Sequence, residues 1–542
     1  MKKTVRKFGA ALLAGMMVLG LAGCGGSGSG GTTTQAVQTE AQTEAAASQA
    51  PESQAPAADN KSGGSLKIAT PQMQNTFFMP QSASTGDRFA AQPALEPLGR
   101  VDENGNYYPW LAEEFITDPE ALTFTIKLRD GVKFHDGSAC DAEVVIWNIN
   151  KYIENGKASE IGSPAKVEAV DSLTVKLSYD SWANNWDNVI GDIYICSQEA
   201  YEKNGEEWCK INAVGTGPFK MVSYVADNSV KYVKNEDYRI AGQPYMDDLE
   251  ILTITDLNTR VSSLMNKEVD LSMKFENAEL INTITAAGFE SIGKRTADTA
   301  DIKHIIWNSK NPDYPMGDLK VRQAIMHCID WDNVALSLSG GLGEATPLFC
   351  TKDSWAYSPD AKFYEFDIES GKQMLAEAGY PDGFSTKILT TSPNVDTATA
   401  FQACLSLLNI KAEVETMDSS ALAAIQNADD IEGFIANRGA SKMDFTSNYI
   451  RLYSSEGIKN HGIMVRPAEF EDPLFAARAA KSVEEKKTNL QKAAKALVED
   501  YVMITPLSVV YYQSFAQPNV NDIGVYQCNL EQWTPEAVYL EK

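Results

Sequence analysis

From Gly63 to the end of the chain, period-two strand patterns and helical apolar patterns follow one another with no internal repeat. That interspersion commits the chain to an α/β or α+β class, because sheets and helices then bury their apolar faces against each other. Leu66, Ile68 and Thr70 alternate as an opening strand would, and 122–128, 167–177 and 219–233 read as further strands. Asp141 opens a helix through Val144, Val145, Trp147, Ile149 and Tyr152, and 256–266 is helical with Val261, Leu264 and Met265 on its apolar face. Helices are also expected at 321–329, 368–378, 398–408 and 422–427, and short strands at 388–391 and 411–415. The run 473–501 reads as one long charged helix with Leu490, Ala494 and Leu497 facing inward. At 542 residues the chain exceeds what one core holds, so more than one domain is expected.

The first 64 residues obey different rules. Lys2, Lys3, Arg6 and Lys7 precede a short apolar run from Phe8 to Leu19, too short to span a bilayer, which needs about 20 apolar residues. This reads as a signal peptide over 1–23. Leu21-Ala22-Gly23-Cys24 resembles a bacterial lipobox, which implies lipidation of Cys24 and a membrane anchor; two or more acyl chains hold a protein stably. Residues 24–64 are Gly, Ser, Thr, Gln, Ala, Glu and Pro with almost no large apolar side chain, a flexible tether with a reach of roughly 35 Å.

The formal charge is −26, and removal of four basic and no acidic residues with the signal peptide takes it to −30. Such acidity argues against nucleic acid as a partner. Beyond Cys24, the cysteines are Cys140, Cys196, Cys209, Cys328, Cys350, Cys404 and Cys528, with no CxxC among them. One disulfide, Cys196 with Cys209, is open to an exported chain, and buried free thiols are the reading for most of the rest. The four histidines form no HExxH and no zinc spacing, so no metal site and no cofactor is expected. There is no Walker A motif and no GxSxG elbow. Ser163-Pro164-Ala165-Lys166 imitates an SxxK pair without its companion motifs. Nothing assembles a catalytic set, and the chain is expected not to be an enzyme.

Several segments in order carry a resemblance. They are Glu96-Pro97-Leu98 leading to Pro109-Trp110-Leu111-Ala112-Glu113, and Thr123 through Arg129-Asp130-Gly131-Val132-Lys133-Phe134-His135-Asp136-Gly137. Ala142-Glu143-Val144, Gly215-Thr216-Gly217-Pro218-Phe219 and Lys234-Asn235-Glu236-Asp237-Tyr238 follow. Then come Asp318 with Val321-Arg322-Gln323-Ala324-Ile325, and Ala376-Glu377-Ala378-Gly379-Tyr380-Pro381-Asp382-Gly383-Phe384. Together these resemble the extracellular solute-binding proteins of family 5, the peptide and nickel group of importer receptors, over residues 64–542.

The resemblance implies an α/β, two-lobed periplasmic-binding-protein-like fold of class II type, with a hinge, an interlobe ligand cleft and an enlarged first lobe. It implies a first lobe of residues 64–305 plus 510–542, a second lobe of 306–509, and a crossing near Ile305-Ile306-Trp307-Asn308. It further implies a monomer that closes on a small-molecule or peptide ligand and docks on ABC permease subunits served by separate ATPase subunits. In peptide-binding members a second-lobe acidic residue pairs with the peptide amino group, and Asp444 is the matching position here, within Asn437-Arg438-Gly439-Ala440-Ser441-Lys442-Met443-Asp444-Phe445. Trp and Pro of the usual stretch are missing. Arg438 suits a bidentate carboxylate contact or a loop brace. Asn437, Trp307, Asn308, Trp355, Tyr357, Tyr449, Tyr453, Phe77 and Phe78 are the other candidate cleft residues. Short peptides are the leading ligand class. An oligosaccharide, an opine-like compound or a chelated metal is the alternative, with a secreted hydrolase or a signalling receptor behind it.

Overall fold

The computed structural model describes residues 61–541 except 72–73, 83–84, 102–106, 293–299, 353, 429–430, 441–443, 458, 461 and 525–532. The signal peptide, Cys24, all but the last residues of the tether, the turn at 102–106, His461 and Cys528 lie outside the described residues. Ala58–Lys542 forms one compact unit.

Two large sheets organise it as two lobes. The first lobe is built on seven strands in the order Phe219–Val225, Ser229–Lys234, Asp248–Thr253, Ser65–Thr70, Leu271–Phe275, Gln513–Ala516 and Ser291–Ile292. The opening strand lies at its centre, parallel to Asp248–Thr253 and to Leu271–Phe275. Buried on both faces, it ends in the run Ile68-Ala69-Thr70, as a central parallel strand does. A separate antiparallel sheet of Ala112–Asp118, Thr123–Leu128, Thr174–Ser178 and Lys166–Asp171 enlarges this lobe.

The second lobe has five strands in the order Lys411–Met417, Ser385–Thr391, Phe434–Ala440, Asp301–Ile306 and Ile504–Val510, the first three parallel and the last two antiparallel to their neighbours. Both faces of this sheet are covered. Ile302, Ile306 and Ile435 pack with Phe349, Tyr449 and Leu497 on one side. Ile305, Ala436 and Phe434 pack with Trp307, Phe401 and Leu338 on the other.

The helices begin where short polar residues can accept orphan amide protons. Asp141 accepts from the Val144 amide to open Ala142–Glu154, and Asp256 accepts from Thr259 to open Leu257–Met265. The expected long helix over 473–501 is instead two helices, Ala468–Ala479 and Val483–Lys495, followed by a π-turn at Ala496–Asp500. The break falls where Ser482 accepts the Glu485 amide while the Glu485 side chain reaches back to the Lys481 amide, so a capping pair restarts the helix. Pro473 lies within the first of the two.

The motif residues meet in one buried knot. Glu96 is fully buried and accepts from Trp110 Nε1 at 2.7 Å, Thr216 Oγ1 at 2.8 Å, Tyr238 OH at 2.9 Å and Arg239 at 3.2 Å. Arg100 stacks over the Trp110 ring and pairs with Glu536 at 2.7 Å. His135 bonds the Gly217 carbonyl at 2.9 Å, joining two motif segments. In the second lobe Arg322 donates to the Val502, Met316 and Tyr501 carbonyls. These side chains frame the lobes. Cys140, Cys196, Cys209, Cys328, Cys350 and Cys404 are buried free thiols, so Cys196 and Cys209 are not paired.

Candidate functional site

The chain passes between the lobes twice. The first passage falls between Ser291–Ile292 and Asp301–Ile306, and the return runs through Tyr511 and Tyr512. Strand Asp301–Ile306 is hydrogen-bonded on both sides within the second-lobe sheet. The crossing therefore precedes Asp301, and residues 301–305, expected in the first lobe, belong to the second-lobe sheet.

At this passage charged and polar groups from both lobes converge. Arg438, near the end of Phe434–Ala440, donates to Glu276 at 2.7 Å and lies 3.4 Å from Asp301. Glu276 follows directly on the first-lobe strand Leu271–Phe275. Tyr512, on the return passage, donates to Asp301 at 2.7 Å, and Lys274 stands over its ring. Burial raises the Tyr512 phenol well above its ordinary range, with Asp301 adding to the effect. The guanidinium stays charged beside its carboxylates. Asn437 takes a bond from Asn394 at 3.3 Å, and the Asn394 carbonyl oxygen is buried with no partner.

A second set of contacts joins the lobes at the far side of their boundary. The first-lobe loop Trp182–Asn185 lies on the end of helix Ala468–Ala479. Asn184 donates from its side chain to the Ala477 and Ala480 carbonyls at 2.8 and 3.0 Å, and from its amide to Arg478 at 2.9 Å. Trp182 Nε1 reaches Ala480 at 3.4 Å. The last carbonyls of a helix have no partner of their own, so one lobe caps a helix of the other. Asn185 donates to Ser447 at 2.5 Å, and Lys481 pairs with Glu120 at 3.2 Å. Polar contacts thus join the lobes at two places.

Ser447 belongs to the helix Phe445–Tyr453, which Asp444 caps through the Thr446 amide. The Asp444 carboxylate also accepts from Ser447 at 2.5 Å and from Lys486 at 3.1 Å, and both charged side chains are largely buried. The Lys486 ammonium sits 5.8 Å from the Trp355 ring centre, and Trp355 packs edge-on against Phe445. Asp187, from the first lobe, is close enough for Lys486 and Asp444 to act on it. Burial, the largest cause, raises its proton affinity, the neighbouring Asn188 amide and Lys486 lower it, and Asp444 raises it.

The structure therefore brings Arg438 and Asn437 to the passage between lobes, and Asp444 and Trp355 together around Lys486. The other candidates lie elsewhere. Trp307 is fully buried among Phe401 and Phe434, its indole donating to Thr505 at 2.8 Å. It is a core residue, because the strand that leads to it is internal to the second-lobe sheet. Asn308 is buried and braces the Ile431 carbonyl at 2.9 Å. Tyr449 and Tyr453 are buried against Phe349. Tyr357 is half-buried beside the same core, its carbonyl taking a bond from Gln491. Phe77 packs on Tyr224 and Phe78 on Tyr201 within the first-lobe core, so neither faces the boundary. Glu276, Asn184 and Asn185 carry contacts across the boundary, and none was singled out from the sequence.

Two lobes, joined by two chain passages and by polar contacts across their boundary, are the frame in which these residues sit. The family model described as bacterial extracellular solute-binding proteins, family 5 middle, matches residues 106–460, and the chain belongs to that family. It is 25% identical over 520 residues to the oligopeptide-binding protein AppA of Bacillus subtilis, covering 88% of this chain and 92% of that one. It is 30% identical over 369 residues to the glutathione-binding protein GsiB of Salmonella paratyphi A, covering 66% and 69%. The periplasmic binding protein DppA of Helicobacter pylori, solved with the peptide STSA, superposes with a TM-score of 0.77 at 22% identity over 89% of this chain and 99% of that one.

Proposed function

We propose that this protein is the receptor of an ABC importer that captures short peptides between its lobes and hands them, unaltered, to a membrane permease driven by separate ATPase subunits. The observation that carries the reading is the pair of polar contact sets that join the two lobes, one of which uses Arg438. Relatives named for oligopeptide and glutathione binding support the peptide class. A ligand that touches both lobes only when they are shut shifts the population toward the shut state by its differential contacts. Arg438 is the group suited to a ligand carboxylate, with Glu276 the partner it exchanges, and Asn437 and Asn394 supply amide contacts beside it. The protein acts as a monomer without turnover. Lipid on Cys24 and the tether hold it at the outer face of the cell membrane.

Native mass spectra of the gently purified protein test the ligand class. A ladder of intact peptide masses, one per protein, is the expected result. A single sugar, opine-like or metal-chelate mass would replace the peptide reading. Cys24→Ser tests the anchor separately, and retention of that variant in the membrane fraction would overturn the anchor.

A further inference from the structure

The carboxylate that joins the lobes at the chain passage has a second arginine close by in its own lobe. Arg260 lies in the first half of the helix Leu257–Met265, near the positive end of the helix dipole, where a cation is disfavoured. Backbone carbonyls at the ends of two first-lobe strands hold it there. Its Nη1 donates to the Ile254 and Thr255 carbonyls at 2.8 and 3.0 Å, and its Nη2 to the Lys274 carbonyl at 3.5 Å. Its Nε–H is buried and has no partner among the described residues. A buried donor without an acceptor is costly, and more so on a charged group.

Two carboxylates act on this guanidinium. Burial lowers its pKa to about 10, and the charges of Asp256 and Glu276 oppose that. Asp256 is committed as a helix cap, accepting from the Thr259 amide at 2.8 Å and the Thr259 hydroxyl at 2.7 Å. Glu276 is bonded instead to Arg438 of the other lobe, yet it directly follows Phe275, whose ring centre lies 5.4 Å from the Arg260 guanidinium. Arg260 is 3% exposed and the Glu276 side chain 44%, so the carboxylate is the member able to move. The backbone just before it is irregular. Lys274 has a φ of 64°, the left-handed region that a residue with a side chain rarely adopts, and the register against Gln513–Ala516 shifts at the same place. Arg438 loses little if Glu276 leaves, because Asp301 stays 3.4 Å from it.

We propose that Glu276 is a two-position latch: it pairs with Arg438 while the lobes are joined at the passage, and swings to the Nε–H of Arg260 in its own lobe when they part. Opening then exchanges one ion pair for another, and both arginines keep a carboxylate in both arrangements. Arg260 is the positioning residue that sets the balance between the two, since it contributes only to the parted state. The inference uses the contact between Arg438 and Glu276 and is independent of the ligand class.

The test uses the whole protein without ligand. Arg438→Met removes the cross-lobe partner and is expected to send Glu276 to Arg260. In NMR spectra of the arginine side-chain N–H groups, one Nε–H signal is then expected to move downfield and to exchange with solvent roughly tenfold more slowly than in the wild type. Both changes are expected to vanish when Glu276→Gln is added. Absence of such a signal, or one that survives Glu276→Gln, overturns the latch. Spin labels on Val225→Cys and Leu407→Cys, exposed positions on the two lobes, give a second readout. Arg260→Gln is expected to raise the ratio of the shorter to the longer interlobe distance roughly fivefold, and to change nothing in a Glu276→Gln background. An equal shift in both backgrounds would make Arg260 a brace for the strand ends alone and overturn the latch. If Arg260→Gln does not fold, the spectra decide by themselves, since the residues they replace are partly exposed. No ligand is added, so a failure here is distinct from a failure of the peptide reading.

Discussion

Trp307 illustrates how a residue's neighbours decide its role. Its indole is surrounded by Phe401 and Phe434 and donates to Thr505, so Trp307→Ala removes a large core side chain together with a buried hydrogen bond. Substitutions of that kind cost about 3–5 kcal/mol. Chemical denaturation is expected to show that loss, while the folded fraction binds ligand with unchanged affinity; a weakened affinity at full stability would make Trp307 a ligand contact. His304 supplies a pH dependence. It is buried against Phe349, its Nδ1–H donating to the Ile302 carbonyl, and burial lowers its pKa to about 4. The unfolded chain binds a proton near the ordinary 6.5 and the folded chain does not. Stability from this group is therefore complete above about pH 6.5 and is lost as pH falls toward 4, by up to about 3 kcal/mol. His304→Phe is expected to flatten the fall of stability between pH 6.5 and 4 measured by urea titration, and an unchanged slope would contradict the assignment.

Among the elements, the contact between loop Trp182–Asn185 and the end of helix Ala468–Ala479 is the most exposed to test. The carbonyls at the end of that helix take side-chain bonds from Asn184 of the opposite lobe. Asn184→Ala is expected to weaken closure by about 1 kcal/mol, and ligand affinity by roughly fivefold in consequence, with overall stability little changed. A loss of stability with affinity intact would mean that the loop serves folding alone. The same region shows where sequence reading ran out. Asp141 and Asp256 were legible as helix starts because each precedes a clean apolar period. Ser482 and Glu485 were not, because their capping pattern sits inside a run of residues that all favour helix. The resemblance implies a first lobe that includes residues 301–305, and nothing in their apolar pattern says which of two sheets they join; that choice is made by pairing with Phe434–Ala440 and Ile504–Val510, both distant in sequence.

For the molecule as a whole, the motif segments told the fold and not the ligand. Glu96, Trp110, Thr216 and Tyr238 come from separate motif segments and meet in one buried hydrogen-bonded cluster, which explains how they can mark a fold. The site residues were legible only in part. Arg438 makes a contact across the lobes and Asp444 caps a helix of the second lobe, but their partners Glu276 and Lys486 arrive from distant elements with no local signal. Arg438→Ala is expected to weaken peptide binding by tenfold or more, whereas Glu276→Gln frees the guanidinium and is expected to strengthen it; equal losses from both would assign the pair to closure alone.

The account stands most directly on ligand-driven closure without chemistry. Spin labels on Val225→Cys and Leu407→Cys, exposed positions on the first and second lobes, give the interlobe distance with and without a saturating peptide pool, and mass spectrometry then reads the recovered peptide. The expected result is a shift to a single, narrower distance on binding and recovery of the peptide intact. A distance distribution indifferent to bound peptide, or a peptide returned in fragments, would contradict it.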